Sequence, residues 1–96
     1  MLTGKTKTGF EFELDEEAKD DMEFLDALVD FTKGNKARFP ELVSIFFGEE
    51  QKRKLYEHCR SENGRVLASK VEIELINVLD AIREMSEKSE KSEVKN

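Results

Sequence analysis

Two hydrophobic periods follow one another near the start of the chain, and this change of period constrains the fold more than any other feature. Phe10, Phe12 and Leu14 alternate with two glutamates, which is the two-residue period of a strand with one buried face. After Asp15 the apolar spacing lengthens to the three or four residues of an amphipathic helix. The sequence therefore predicts a strand that leads directly into an acidic helix.

The residues that precede this strand predict a partner for it. Thr3–Lys7 and Phe10–Leu14 flank Thr8 and Gly9, and glycine adopts the positive φ that a tight hairpin turn requires. An isolated hairpin is only marginally stable in water. We therefore expect a short antiparallel hairpin whose apolar face packs on the helices of its own chain or on another subunit.

Helical patterns fill the chain from there to residue 85. The first runs from Glu16 to Thr32 with Asp15 as its N-cap, and the last begins near Ser69, which starts a capping box. Between them, Gly48 separates a short helix that begins at Pro40 from a third helix. The expected helices cover residues 16–32, 40–47, 49–60 and 69–85. These patterns predict a mainly α fold, in which an N-terminal β-hairpin is followed by a bundle of about four helices.

The first and last of these helices each show one apolar stripe. The first is expected to bury Ala18, Met22, Leu25, Leu28 and Val29, with Phe24 and Phe31 at the sides of the stripe. The last is expected to bury Val71, Leu75, Val78, Leu79, Ile82 and Met85, with Ile73 and Ile76 at its flanks. Because the last helix is the longest, it is also the expected place for helix–helix contact between subunits.

The chain length of 96 residues allows a single domain with a modest core. We expect one helical domain over residues 1–85, including the hairpin. From residue 86 the sequence reads SEKSEKSEVKN, in which Val94 is the one apolar residue. Such a segment cannot bury a face, so residues 86–96 are expected to form a disordered tail rich in Ser, Glu and Lys.

The charge distribution bears on the choice of partner. The formal net charge is −6, and Asp15–Asp30 holds eight acidic residues against Lys19 alone. This balance opposes binding to nucleic acid phosphates, so no nucleic-acid partner is expected. The acidic residues are expected to form a solvated face, and the alternative is a docking surface for a basic protein.

Membrane association is not expected either. The longest nearly apolar run, Leu42–Phe47, is far too short to span a bilayer. Met1 is followed by polar residues rather than by a basic and then an apolar segment. We therefore expect no signal peptide and, by default, a cytoplasmic location.

The residue types needed for catalysis or metal binding are scarce. Cys59 is the single cysteine and is expected to be buried, whereas His58 is its neighbour in sequence and points elsewhere on a helix. One His and one Cys do not make a zinc site without several carboxylates. Gly4-Lys5-Thr6 lacks the upstream glycine and strand of a phosphate-binding loop. We expect no enzyme activity, no catalytic residues, no metal and no cofactor.

Three segments resemble a known family. They read TGKTKTGFEFELDEEAKDDMEFLDAL from Thr3, FPELVSIFFGEEQKRKLYEH from Phe39, and SENGRV before the last helix. Gly48–Lys52 and Asn63–Val66 are the most characteristic parts. Together they resemble tail assembly chaperones of tailed phages and prophages of Gram-positive bacteria, over about residues 3–82.

The resemblance implies a non-enzymatic function. Chaperones of this family bind the tape measure protein, a long helical protein, while the tail tube polymerises around it. The resemblance further implies self-association into a homo-oligomer, a location in the host bacterial cytoplasm, and absence from the mature virion. No catalytic motif belongs to the family, so no functional residues are transferred from it.

Residue pattern suggests where such a partner would bind. Five of the six residues of Leu42–Phe47 are apolar, so this short helix is either the central element of the core or partly covered by another chain. On the second alternative, the expected partner-binding residues are Leu42, Ile45, Phe46, Phe47 and Tyr56. The competing functional interpretation is a small acidic adaptor or inhibitor that docks on a basic protein through its first helix.

Overall fold

The computed structural model describes the backbone of residues 1–94 and the side chains of residues 1–85. Its elements are β1 (Leu2–Lys5), β2 (Glu11–Leu14), α1 (Met22–Thr32), α2 (Phe39–Cys59) and α3 (Ala68–Val94), with 3-10 turns at Ala18–Asp20 and Lys36–Arg38. The mainly α class with an N-terminal hairpin is confirmed, but the described residues form three helices rather than about four. The predicted tail, residues 86–96, lies outside the described side chains.

The hairpin forms where the sequence predicts it, with shorter strands. β1 and β2 pair antiparallel, with Leu2 opposite Leu14 and Lys5 opposite Glu11. Gly9 has a φ of 95°, which the turn requires and which glycine adopts without steric cost. The two-residue period places three apolar side chains on the core face of the sheet, and all three are buried: Phe10, Phe12 and Leu14.

α1 begins six residues later than expected, and Asp15 is not its N-cap. The Asp15 carboxylate instead accepts a hydrogen bond from the Glu17 N–H at 2.8 Å, which makes a local turn. Asp21 caps the helix, since its Oδ1 accepts from the N–H groups of Glu23 and Phe24. Each aspartate thus accepts from its own set of backbone N–H groups, and the 3-10 turn at Ala18–Asp20 lies between them.

The buried face of α1 is rotated from the predicted stripe. Phe24 and Ala27 are buried, whereas Met22 and Val29 are exposed. The ring of Phe24 stacks on Phe46, with centroids 4.7 Å apart. Aromatic rings bury more apolar area than Met or Val, so the helix turns to place the phenylalanines in the core.

The predicted second and third helices are joined as α2. Gly48 has φ 79° and ψ 163°, which is not helical, so the helix is interrupted there and α2 consists of two segments that meet at a kink. This backbone conformation is essentially restricted to glycine. Pro40 lies in the first turn, as predicted. The helical segments before and after Gly48 lie where the second and third helices were predicted, but α2 spans both, so the described helices number three rather than about four.

α3 starts at Ala68, so Ser69 is inside the helix rather than at its N-cap. The carbonyl of Leu67 accepts the N–H groups of Lys70 and Val71, which are the first hydrogen bonds of the helix. Four residues of the expected stripe are buried on the core face of α3, and they are Val71, Leu75, Val78 and Ile82.

Both helices that flank the hairpin help to fix its position. α2 packs along β2, and the side-chain Oε1 of Gln51 accepts the N–H of Glu13 at 3.0 Å. α3 packs against β1 at the opposite side of the sheet. The apolar core lies between the inner face of the hairpin and the three described helices.

Candidate protein-binding surfaces

The centre of the predicted binding surface is buried within the chain itself. Leu42, Phe46 and Phe47 are all in the core. The Phe47 ring meets the Phe10 ring edge-on at 6.4 Å, so the hairpin covers this part of α2. Of the two alternatives for this segment, the structure agrees with the central core element. In this conformation these three side chains are not accessible to a partner.

The other two predicted partner residues are partly accessible. Ile45 and Tyr56 are half-buried and pack at the margin of the core. The Lys52 ammonium lies 5.6 Å from the centre of the Tyr56 ring, which is within cation–π range. Of the five predicted partner-binding residues, Ile45 and Tyr56 are therefore the two that are accessible, and they lie on different halves of the kinked helix.

α3 carries a pair of outward-facing isoleucines. Ile73 and Ile76 are 55% and 50% exposed, although both are large apolar side chains. A spacing of three residues makes them neighbours on one face of the helix. The sequence placed them at the flanks of the buried stripe, and the structure shows that this flank faces outward. We call Ile73 and Ile76 the α3 surface.

α1 carries a second accessible apolar pair, in a different electrostatic setting. Met22 and Val29 are 65% and 47% exposed. Glu23 and Asp26 lie on the same helix and are also exposed. We call Met22 and Val29, with the acidic residues around them, the α1 surface. An apolar pair with an acidic border would suit a partner helix that is apolar on one face and basic at its edges.

A buried carboxylate ties the turn of the hairpin to α3. Glu74 is only 4% exposed, and its Oε1 accepts hydrogen bonds from the hydroxyls of Thr6 at 2.5 Å and Thr8 at 2.7 Å. Since the Thr8 hydroxyl gives its proton to Glu74, His58 Nε2, 3.0 Å from the Thr8 oxygen, must be the donor in that contact. These bonds form a structural clasp between the first strand and the last helix.

Cys59 lies beside this clasp and is buried, as the sequence predicts. Burial raises the pKa of its thiol, and the charge of Glu74 raises this pKa further, while Lys70 acts in the opposite direction. A thiol whose pKa is raised is mostly protonated and therefore a poor nucleophile. This environment is that of a structural cysteine.

The clasp is the feature that sequence reasoning missed. Glu74 and Asn77 interrupt the apolar stripe of α3, lying between Val71, Leu75 and Val78. Two polar residues on the core-facing side of a helix predict that a polar group from another part of the chain forms a hydrogen bond there. The partners themselves, on a hairpin near the other end of the sequence, could not be identified from spacing.

Metal sites and membrane-spanning helices are two further features that the described part of the chain could carry. No group of three or more His, Cys, Asp or Glu side chains there is arranged to hold a metal ion. Among the same residues, no helix is both long and apolar enough to cross a bilayer. Comparison with known proteins returned no matching family model, no matching curated protein and no matching solved structure.

Proposed function

We propose that this protein acts without catalysis, as a phage or prophage tail assembly chaperone that binds the tape measure protein during tail morphogenesis. The proposal rests on the resemblance of three sequence segments to that family. One structural observation carries it further: the outward-facing isoleucines of the α3 surface. A long helical partner with apolar stripes would pack on such a pair as one helix packs on another.

The size of this contact favours repeated binding. Full burial of an isoleucine side chain is worth about 1.5–3 kcal/mol, so two half-exposed ones together offer only about 1.5–3 kcal/mol per subunit. A long partner with many stripes gains affinity when several linked copies bind at once. Self-association of the chaperone therefore belongs to the proposal, as do a location in the host cytoplasm and absence from the finished virion.

The central experiment is co-expression with the tape measure protein of the same genome. The variant I73D/I76D should lose the soluble complex, because charged side chains on the α3 surface cannot pack on an apolar stripe. The matched control is M22D/V29D, which places the same change on the α1 surface and should keep the complex. Circular dichroism of both variants verifies that the fold is retained.

Two results would contradict the proposal. One is a complex with I73D/I76D that survives as well as that of the unchanged protein. The other is genomic: absence of a gene for a very long helical protein beside the gene for this chain would remove the expected partner.

A second candidate function is favoured by the α1 surface. Exposed Met22 and Val29 among acidic residues would suit a small adaptor or inhibitor that docks on a basic protein. Such a complex depends on charge and should be lost between about 0.05 and 0.5 M salt, whereas an apolar contact on α3 should persist. For this function, M22D/V29D should weaken binding, because it removes the apolar contact while the charge attraction remains. I73D/I76D should leave binding unchanged and is the control.

A further inference from the structure

The two edges of the hairpin differ in whether their outward backbone N–H and C=O groups have hydrogen-bond partners. The edge of β2 lies against α2, where the Glu13 N–H donates to the Gln51 side chain at 3.0 Å. At the outer edge of β1, no side chain of the described residues hydrogen-bonds to the backbone in a comparable way. An edge strand with unpaired N–H and C=O groups is a template for a further strand.

The pairing register shows which groups of β1 face that edge. The Thr6 N–H donates to the Phe10 carbonyl at 2.9 Å, so the backbone N–H of Thr6 points towards the second strand. Antiparallel pairs alternate, so Gly4 and Leu2 also point towards β2, while Thr3 and Lys5 point away from it. Glu13, opposite Thr3, obeys the same alternation, because its N–H points outward to Gln51.

A cavity lies at this edge, between the end of β1 and α3. Its volume is about 340 Å³, and Lys5 and Lys7 line it on the hairpin side while Asn77 and Glu84 line it on the helix side. Asn77 is only 7% exposed, and its Nδ2 has no hydrogen-bond partner among the described residues. A buried amide N–H₂ without an acceptor is rare and indicates that an acceptor from outside the chain would be stabilised there.

We propose that an extended peptide segment of a partner protein binds in this groove as a third strand, paired with the outward backbone groups of Thr3 and Lys5. Strand addition of this kind obtains affinity from main-chain hydrogen bonds and specificity from alternate side chains. A peptide carbonyl or side-chain oxygen on the inner face reaches Asn77. This binding mode is independent of the α3 surface and of the tape measure protein.

Asp80 and Glu84 line the groove on the helix side, but the ammonium of Lys5 on the hairpin side favours an acidic residue at one position of the peptide. Lys5 has no ion-pair partner among the described residues, and it projects from the exposed face of β1. The residue opposite Lys5 on an added strand lies on that same face, within cross-strand distance. An Asp or Glu at this position would pair with the Lys5 ammonium, and Lys7 adds a second positive charge nearby. Asp80, by contrast, already contacts Arg83 at 3.3 Å.

The test uses the full chain and two synthetic peptides of about seven residues, the usual length of a strand. Both alternate Thr and Val and are blocked at their ends; one carries Asp at its centre and the other Lys. In the free protein, the amides of Thr3 and Lys5 should exchange with solvent faster than those of Gly4 and Thr6. The Asp peptide should slow exchange at Thr3 and Lys5 and shift the side-chain amide resonances of Asn77.

Charge reversal provides the specificity control. The Lys peptide should bind at least about tenfold more weakly than the Asp peptide, and K5E should reverse this preference. The matched control K33E makes the same change at the end of α1 and should leave the preference unaltered.

Three results would overturn the proposal. In the first, Thr3 and Lys5 are as protected as Gly4 in the free protein, so the edge is already closed. In the second, neither peptide slows their exchange. In the third, protection appears without peptide as the protein concentration rises, which would identify a second copy of the chain as the occupant.

Discussion

Glu74 is the residue on which the arrangement of the hairpin depends most. It is a carboxylate in the core, and it accepts the hydroxyl protons of Thr6 and Thr8. The Thr6 oxygen in turn accepts the Phe10 N–H at 3.1 Å, which closes the turn of the hairpin. Removal of the carboxylate therefore affects a tertiary contact and a local turn together.

We expect Glu74→Ala to lower the free energy of unfolding by about 2 kcal/mol, because the buried Thr6 hydroxyl loses its acceptor. Urea denaturation followed by circular dichroism measures this. Glu72→Ala is the matched control, since Glu72 is an exposed glutamate on the same helix, and it should change stability by less than about 0.5 kcal/mol. Equal stability of the two variants would show that the clasp contributes nothing.

Cys59 gives a prediction about pH. Its pKa is raised in the folded chain, mainly by burial and then by Glu74, so the folded state holds the thiol proton more tightly than the unfolded state. This contribution to stability is fully present below the unfolded pKa of about 8.5 and is lost as pH rises through the higher folded value. The unfolding free energy of the natural protein should therefore fall relative to that of Cys59→Ala as pH rises above about 8.5.

Alkylation provides an independent measurement of the same thiol. Iodoacetamide should modify folded Cys59 at least about tenfold more slowly than the urea-unfolded chain at the same pH, because the thiol is buried and protonated. Rapid modification of the folded protein would show that the thiol is accessible and ionised.

At the scale of elements, the kink at Gly48 decides how the two halves of α2 meet the rest of the fold. Before the kink, Phe46 and Phe47 pack on α1 and the hairpin. After it, Leu55 and Cys59 are buried in the same core. The change of helix direction at Gly48 lets residues from both halves of α2 pack in the apolar core.

Gly48→Ala should destabilise the protein by about 1–3 kcal/mol, because a Cβ is strained at φ 79° and ψ 163° even though the space around it is open. Glu49→Ala, at the next position and equally exposed, should be nearly neutral. Thermal unfolding of the two variants measures the difference. A Gly48→Ala variant as stable as the control would mean that a straight α2 satisfies the core equally well.

Sequence patterns predicted some elements well and others poorly, for identifiable reasons. The hairpin was predictable because Phe10, Phe12 and Leu14 alternate strictly and allow one buried face. The face of α1 was predicted only in part: Leu25 and Leu28 pack against the core as expected, whereas Met22 and Val29 are exposed. Apolar residues occur around much of this helix, so spacing alone could not rank Met22 against Phe24. Packing decided this in favour of the aromatic ring.

The candidate surfaces could be predicted only in part. A run such as Leu42–Phe47 has the same composition whether it is covered by its own chain or by another. Only the position of the hairpin, which covers Phe47, distinguishes the two cases. Ile73 and Ile76 were visible as flanking residues, but their outward direction depends on the side from which β1 approaches α3.

At the scale of the whole molecule, negative charge is concentrated in one region. Eight of the acidic residues lie in Asp15–Asp30, which includes α1 and the turns before it. Like charges at this density repel one another, and dissolved salt weakens that repulsion.

We expect the midpoint of thermal unfolding to rise by up to about 4 °C between about 0.05 and 0.5 M sodium chloride, as repulsion is screened. Magnesium chloride at matched ionic strength should give a similar rise, because the acidic residues form a diffuse field. A much larger effect of magnesium at low concentration would reveal a specific cation site and contradict this.

The clasp between Thr6 and Glu74 also has a consequence for synthesis on the ribosome. The two residues are 68 positions apart. At ordinary elongation rates of about 5–20 residues per second, roughly 3–14 seconds pass between their incorporation. Throughout that interval the turn of the nascent hairpin lacks the helix that secures it. The hairpin, although translated first, therefore completes its contacts only after the last helix has been made.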